Sequence, residues 1–196
     1  MSAPHIVVID NYDSFTYNLV HALAAAGART TVVRNDAVSR DEVAALGPDG
    51  LVFSPGPGHP AVPRDFGVCA DLITNPLDVP VLGVCLGMQG LAHHTGGRVV
   101  PAPEIVHGSA SPARLQGGSP LFAGLGDAVD VGRYHSLLVD ADSLPAAWRP
   151  LAATETGLLM AMEHKERPWY GVQFHPESIL TPDGDRMVAN FVGACR

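Results

Sequence analysis

Lysine is almost missing from this 196-residue chain: Lys165 is the only one, and the other basic residues are arginines scattered singly along it. Against 20 acidic residues they leave a net charge of -8. Nucleic-acid binding needs a basic surface to meet phosphates, so that function class is excluded. Cysteine is equally scarce. Cys69, Cys85 and Cys195 are too few for a disulfide framework, and a reducing, cytoplasmic setting is the natural reading. No apolar run approaches the ~20 residues of a membrane helix. Met1 to Asp10 has no basic region followed by a long apolar stretch, so neither a membrane span nor a secretory signal is expected. Repeats, low-complexity tracts and linkers are also lacking. With 46% apolar and 16% charged residues, the expectation is a single globular domain over residues 1–196 with one substantial core.

What is present is an alternation of strand and helix signals. His5 to Ile9 is a β-branched run suited to a strand buried on both faces. Thr16 to Ala26 reads as a helix, with Leu19, Val20, Leu23 and Ala24 at helical spacing and Gly27 as its stop. Arg29 to Arg34 is a second strand. Ser39 to Leu46 is a short helix, with Ser39 and Glu42 at capping-box spacing. Gly50 to Ser54 is a third strand, Val79 to Val84 a fourth, and helices cover Val68 to Ile73 and Gln89 to Thr95. Beyond Arg98, shorter strands are expected at Val99–Val100, Ala128 to Val131, Leu137 to Val139, Leu158 to Glu163 and Trp169 to Phe174, several of them antiparallel. A helix over Asp183 to Gly193 follows. This rhythm predicts an α/β fold: an open, mostly parallel twisted sheet with helices on both faces and a smaller antiparallel portion.

Three motifs carry chemistry. Gly83-Val84-Cys85-Leu86-Gly87, at the end of the fourth strand, has the layout of a nucleophile elbow with cysteine as nucleophile. Such a turn sets the thiol at a helix N-terminus, where backbone N–H groups and the dipole favour a thiolate. Free cysteines are also common in cores, so the pentapeptide alone leaves both readings open; Cys69 and Cys195 lack the glycine turn altogether. His175-Pro176-Glu177 follows an apolar strand. In extended chain, residues i and i+2 face the same way, so Glu177 can hold one imidazole nitrogen of His175 and leave the other for a thiol. The alternative is a solvated strand end. Ser54-Pro55-Gly56-Pro57-Gly58-His59-Pro60 lacks the Gly-Lys-Ser/Thr ending of a phosphate loop. It suits an oxyanion hole, or else a tight connection after a strand. The nine histidines show no ligand-like spacing, and no metal site is expected.

Taken in order, Pro55-Gly-Pro-Gly58, Gly83-Val-Cys-Leu-Gly87 with Gln89, and Gln173-Phe-His-Pro-Glu177 resemble the three signatures of the class I (triad) glutamine amidotransferases, over essentially the whole chain. The stretches Ile9-Asp-Asn-Tyr-Asp-Ser-Phe-Thr-Tyr-Asn18, Arg34-Asn-Asp36, His107-Gly108, Arg133-Tyr-His-Ser-Leu137 and His175-Pro-Glu-Ser-Ile179 are similar to one branch. That branch holds the glutaminase components of anthranilate synthase and of aminodeoxychorismate (para-aminobenzoate) synthase. The resemblance implies that Cys85 attacks the amide of L-glutamine, that His175 serves as acid and then base, and that Glu177 orients it. It implies that the N–H groups of Gly58 and Leu86 form the oxyanion hole, and that Gly56, Pro57, Gly58, Gln89, Ser136 and Leu137 hold glutamine. It further implies, as partner, a larger chorismate-utilising synthase subunit, which takes the ammonia and uses Mg²⁺, and no cofactor in this chain. The loop Asn11, Tyr12, Asp13, Ser14 and Phe15 would face that partner.

Met88 stands where many relatives have histidine, and the linker Ala61-Val-Pro-Arg64 also departs from the pattern. Three other readings compete. A glutaminase for another acceptor is opposed by the Asp-Asn-Tyr-Asp-Ser-Phe and Arg-Tyr-His-Ser-Leu stretches. A cysteine esterase would order nucleophile, acid and histidine differently, and would leave Gln89 without a role. A noncatalytic regulatory subunit is opposed by the intact Cys85, His175 and Glu177.

Overall fold

A computed structural model describes residues 2–103, 105–106 and 108–196; Met1, Glu104 and His107 lie outside the described residues, and His107 of the resemblance with them. The chain opens with β1 (His5–Asp10), every residue of which is buried. Ile6 and Val8 enter the core on one face of the sheet, and Val7 and Ile9 enter the core on the other. This is the period-two geometry of a strand covered on both sides. α1 (Thr16–Ala25) buries Leu19 and Leu23 at a spacing of four and ends at Gly27, which takes φ +91°. β2 (Arg29–Arg34) lies parallel to β1. α2 (Arg40–Ala45) carries the full reciprocal capping box between Ser39 and Glu42. β3 (Gly50–Phe53) is followed by α3 (Pro63–Phe66) and α4 (Val68–Thr74).

β4 (Val81–Val84) runs into α5 (Leu86–His94). The helix starts three residues before the expected Gln89, because Cys85 itself occupies the N-cap position. β5 (Val99–Pro101) and β8 (Leu137–Val139) form a separate two-stranded antiparallel sheet. The main sheet is completed by β6 (Ser109–Leu115), β7 (Ala128–Arg133), β9 (Trp148–Thr154), β10 (Leu159–His164) and β11 (Trp169–Val172), and α6 (Gly184–Ala194) closes the chain. The order across the sheet is β2-β1-β3-β4-β11-β10-β9-β6-β7. The first five are parallel and the rest antiparallel.

The antiparallel part is more extensive than the pattern suggested, because β6 and β9 carry no clear strand signal. β6 buries only Ala113 along its length, so no apolar alternation marks it. α1 and α6 pack against one face of the sheet, α4 and α5 against the other. Among the described residues, no helix is long and apolar enough to cross a membrane.

Register brings the strand ends together. Ile9 lies beside Phe53, Phe53 beside Gly83, and Val84 beside Val172. The chain therefore leaves β1, β3, β4 and β11 at one edge of the sheet, the carboxyl edge where open α/β sheets place their ligands.

Candidate active site

Cys85 has φ +52° and ψ −102°, a left-handed conformation that L-residues rarely adopt. Its N–H donates to the Val172 carbonyl at 2.8 Å, and its own carbonyl accepts from Gln89 N–H at 3.0 Å, the first turn of α5. The flanking glycines are required by contact. A Cβ on Gly83 would stand 2.6 Å from the Gly87 carbonyl carbon, and one on Gly87 would stand 2.3 Å from the Phe53 carbonyl oxygen. The turn thus fits only if strand and helix touch backbone to backbone. Cys85 is the N-cap residue of α5, so the backbone N–H groups of the first turn, which have no partner within the helix, lie next to it in the chain.

His175 and Glu177 meet, but not as members of an extended strand. β11 ends at Val172, two residues short of the expected Phe174, and His175-Pro176-Glu177 forms a turn in which Ser178 N–H donates to the His175 carbonyl at 3.2 Å. Pro176 removes the ladder donor that would have continued the strand. Across this turn His175 Nδ1 lies 2.6 Å from Glu177 Oε1, and both side chains are almost wholly buried. His175 is also within hydrogen-bond reach of Cys85. Burial by itself lowers the His175 pKa, but the hydrogen bonds to Cys85 and Glu177, with their charges, outweigh it and raise it to about 10. At neutral pH the imidazole holds its proton between a carboxylate and a sulfur. Burial pushes the Cys69 thiol well up, and pushes Cys195 up to about 12 with help from Asp49.

Cys85 opens into a cavity of about 170 Å³ lined by Gly56, Pro57, Gly58, Gln89, Tyr134, His135, Ser136 and Leu137. Every residue expected to hold the substrate is in that lining. Gly58 takes φ +89°, and a Cβ there would fall 2.1 Å from Asp65 Oδ2; Asp65 in turn accepts the His59 N–H at 3.0 Å. Leu86 is not in the lining. Its side chain is buried in the core, so only its N–H, in the first helical turn, is available to the site. Met88 is fully buried and packs its side chain against Gly171 of β11, so this departure affects the core under α5 rather than the cavity.

Three residues at the site carried no assigned role in the sequence. Gln173 Nε2 lies 3.5 Å from Cys85 Sγ, and Gln173 Oε1 accepts from Gln89 Nε2 at 3.2 Å. Gln89 also donates to the Leu137 carbonyl at 3.1 Å, so one polar chain joins the cavity wall to the sulfur. His135 accepts from Arg133 Nε at 3.1 Å. Burial first, then the charges of Arg133 and His175, outweigh a backbone hydrogen bond at Leu137 and hold its pKa down to about 4. Tyr134 packs its ring edge-on against His175, with centroids 5.1 Å apart. The Arg133-Tyr-His-Ser-Leu137 stretch signalled this wall as a motif, without saying which side chains turn inward.

The loop after β1 divides between core and surface. Asn11 is 1% exposed; it donates to the Ser54 carbonyl and accepts from Asn35. Tyr12 is half exposed at φ +65°, Ser14 is exposed, and Asp13 and Phe15 are partly buried. Among the described residues, no cluster of His, Cys, Asp or Glu could hold a metal ion.

Comparison with known proteins agrees with this geometry. Residues 7–195 match the family model described as Glutamine amidotransferase class-I. An aminodeoxychorismate synthase of Streptomyces griseus is 50% identical over 186 residues, which make up 94% of this chain but 25% of that much longer protein. A Bacillus subtilis protein named aminodeoxychorismate/anthranilate synthase component 2 is 43% identical over 192 residues, covering 97% of each. The solved structure of a Thermoplasma acidophilum protein, provisionally described as one subunit of a GMP synthase, superposes with a TM-score of 0.87 at 29% identity, covering 100% of this chain and 95% of that one.

Proposed function

This chain belongs to the class I glutamine amidotransferase family, and from that premise we propose that it is the glutaminase component of a chorismate-aminating synthase. The observation that carries the chemistry is that Cys85 and the Gly56–Gly58 loop line one cavity, while the 2.6 Å His175–Glu177 pair stands behind Cys85. The Cys85 sulfur attacks the side-chain amide carbon of L-glutamine, and the carbonyl electron pair moves to oxygen. The N–H groups of Gly58 and Leu86 stabilise that oxyanion. Collapse expels nitrogen, which takes the His175 proton and leaves as ammonia. His175 then removes a proton from water, which attacks the γ-glutamyl thioester; a second collapse releases glutamate and restores the sulfur. Glu177 keeps the imidazole in the tautomer and orientation both steps require.

The acceptor is inferred from the relatives. Those named for aminodeoxychorismate or anthranilate synthase reach 43% and 50% identity, against 29% for the neighbour described as part of a GMP synthase. In the Streptomyces protein the matching part is one quarter of the length, and the remainder offers room for the synthase that this chain would meet as a separate subunit. The chain therefore delivers ammonia to a larger partner that uses chorismate and Mg²⁺, and its glutaminase activity alone is expected to be slow.

The test pairs the purified chain with each chorismate-utilising subunit of its source, supplied with chorismate, Mg²⁺ and either glutamine or ammonia, with products identified by mass. Anthranilate from one pairing and aminodeoxychorismate from another would mark a shared subunit, and a single product would assign one pathway. Cys85→Ala should abolish the glutamine-dependent product while sparing the ammonia-dependent one. If every partner works with ammonia and none gains activity with glutamine, the chorismate assignment is wrong.

A further inference from the structure

The loop between β1 and α1 reaches both halves of the site. At its start Asn11 donates through its backbone N–H to Ser54 Oγ at 2.8 Å and through Nδ2 to the Ser54 carbonyl at 2.8 Å; Ser54 Oγ bonds the Pro55 carbonyl in turn. A Cβ on Gly56 would stand 2.6 Å from Asn11, so the Pro55–Gly58 loop lies directly on this residue. At its end Phe15 packs its ring on His175 with centroids 5.5 Å apart, and on Tyr134 at 5.3 Å. Tyr134 completes the triangle at 5.1 Å from His175, and its hydroxyl lies 3.1 Å from Ser178 Oγ, one residue past Glu177. Glu177 holds one His175 ring nitrogen, and the two aromatic rings pack against the imidazole.

Between these ends the loop is strained and outward-facing. Tyr12 stands at φ +65° and is half exposed. Its hydroxyl donates to Asp36 at 2.7 Å, and the Arg34 guanidinium lies 4.4 Å over its ring. The Asp10 carboxylate collects the Tyr12 N–H, the Asp13 N–H and the Thr16 hydroxyl, and also meets Arg34. A left-handed tyrosine persists only where its surroundings hold it, so a body seated on Tyr12 and Ser14 acts on a segment whose far end touches the base.

We propose that Phe15 is a positioning residue for His175, and that docking on the Asn11–Phe15 loop acts on the base through it. The docking half of this inference rests on the partner proposed above; the positioning half does not. Misplacing a general acid–base by a fraction of an ångström slows chemistry without changing ground-state binding. In the isolated chain, Phe15→Ala should lower kcat for glutamine by about 10- to 100-fold, with KM within about twofold. Phe15→Leu, which refills most of the volume, should recover most of the loss. Equal kcat in wild type and Phe15→Ala would overturn the positioning role, as would a loss confined to KM. Once the chorismate-utilising partner is present, Phe15→Ala should still form the complex, by size-exclusion chromatography, yet lose most of the partner's stimulation of glutaminase. Full stimulation of that variant would overturn the coupling. If no such partner binds or stimulates the wild type, the partner reading and the coupling fall together, while the kcat and KM of the lone chain still decide the role of Phe15.

Discussion

His175 is the residue on which the proposed chemistry and the expected pH response both turn. Burial works against its charge, yet Cys85 and Glu177 raise its pKa from 6.5 to about 10. A group that holds its proton more tightly when folded stabilises the fold fully below its unfolded pKa, and loses that contribution as pH rises through its folded pKa. The window here runs from about 6.5 to about 10. Wild-type stability should therefore fall across that range, measured as the urea midpoint. Glu177→Gln, which removes the charge that helps hold the proton, should show a flatter profile. The same variant should lower kcat by roughly 10²- to 10⁴-fold, since an amide can no longer enforce the tautomer. A variant with wild-type kcat would remove Glu177 from the mechanism. His135, in contact with Arg133 and held down to about 4, stays neutral throughout and does not compete for the proton.

The β4–α5 unit is a packing problem before it is a catalytic one. Gly87 allows the first turn of α5 to rest on the Phe53 carbonyl of β3, where an added Cβ would lie 2.3 Å from the oxygen. Backbone cannot yield as a side chain does, so Gly87→Ala is expected to cost about 1–3 kcal/mol and to lower kcat by displacing the elbow. Gly117→Ala makes the comparison, since nothing lies within 4 Å of its added Cβ. Its effect should stay within about 0.5 kcal/mol, with activity intact. Urea denaturation of both variants, alongside glutaminase assays, checks the pair; a fully stable and active Gly87→Ala would contradict the close contact.

Over the whole molecule, the sheet divides into a parallel half, whose strand ends lead to Cys85 and His175, and an antiparallel half, from which the chain after β7 supplies Tyr134 to Leu137 as the cavity's other wall. β1, β3 and β4 are buried at every residue, whereas β6 buries only Ala113. Opening free energy follows buried apolar contact, so amide exchange should be slowest in β1, β3 and β4 and much faster in β6. Mass spectrometry of exchanged peptides reads this directly. Equal protection in β6 would mean that the antiparallel half is held by more than its own ladders. The rigidity of the parallel half also keeps the four strand ends, and hence Asn11, Ser54, Cys85 and Gln173, at fixed separations.

Sequence by itself determined what local chemistry can specify. The Gly-x-Cys-x-Gly spacing marked the elbow, because only glycine permits the close approach of strand and helix. Ser39 and Glu42 marked their capping box, and the β-branched run of β1 marked a strand covered on both sides. Cys85, His175 and Glu177 were legible as residue types suited to a triad. Only the tertiary structure decided that His175 and Glu177 meet across a turn rather than along a strand, and that Gln173, Tyr134 and Phe15 surround the sulfur and the base. Those contacts join segments separated by 88 positions in one case and by the breadth of the parallel sheet in others. No periodicity or short spacing encodes them: parallel strands in register bring the ends of β1, β4 and β11 to one edge, and the end of the antiparallel β7 joins them through the His175 N–H bond to the Gly132 carbonyl.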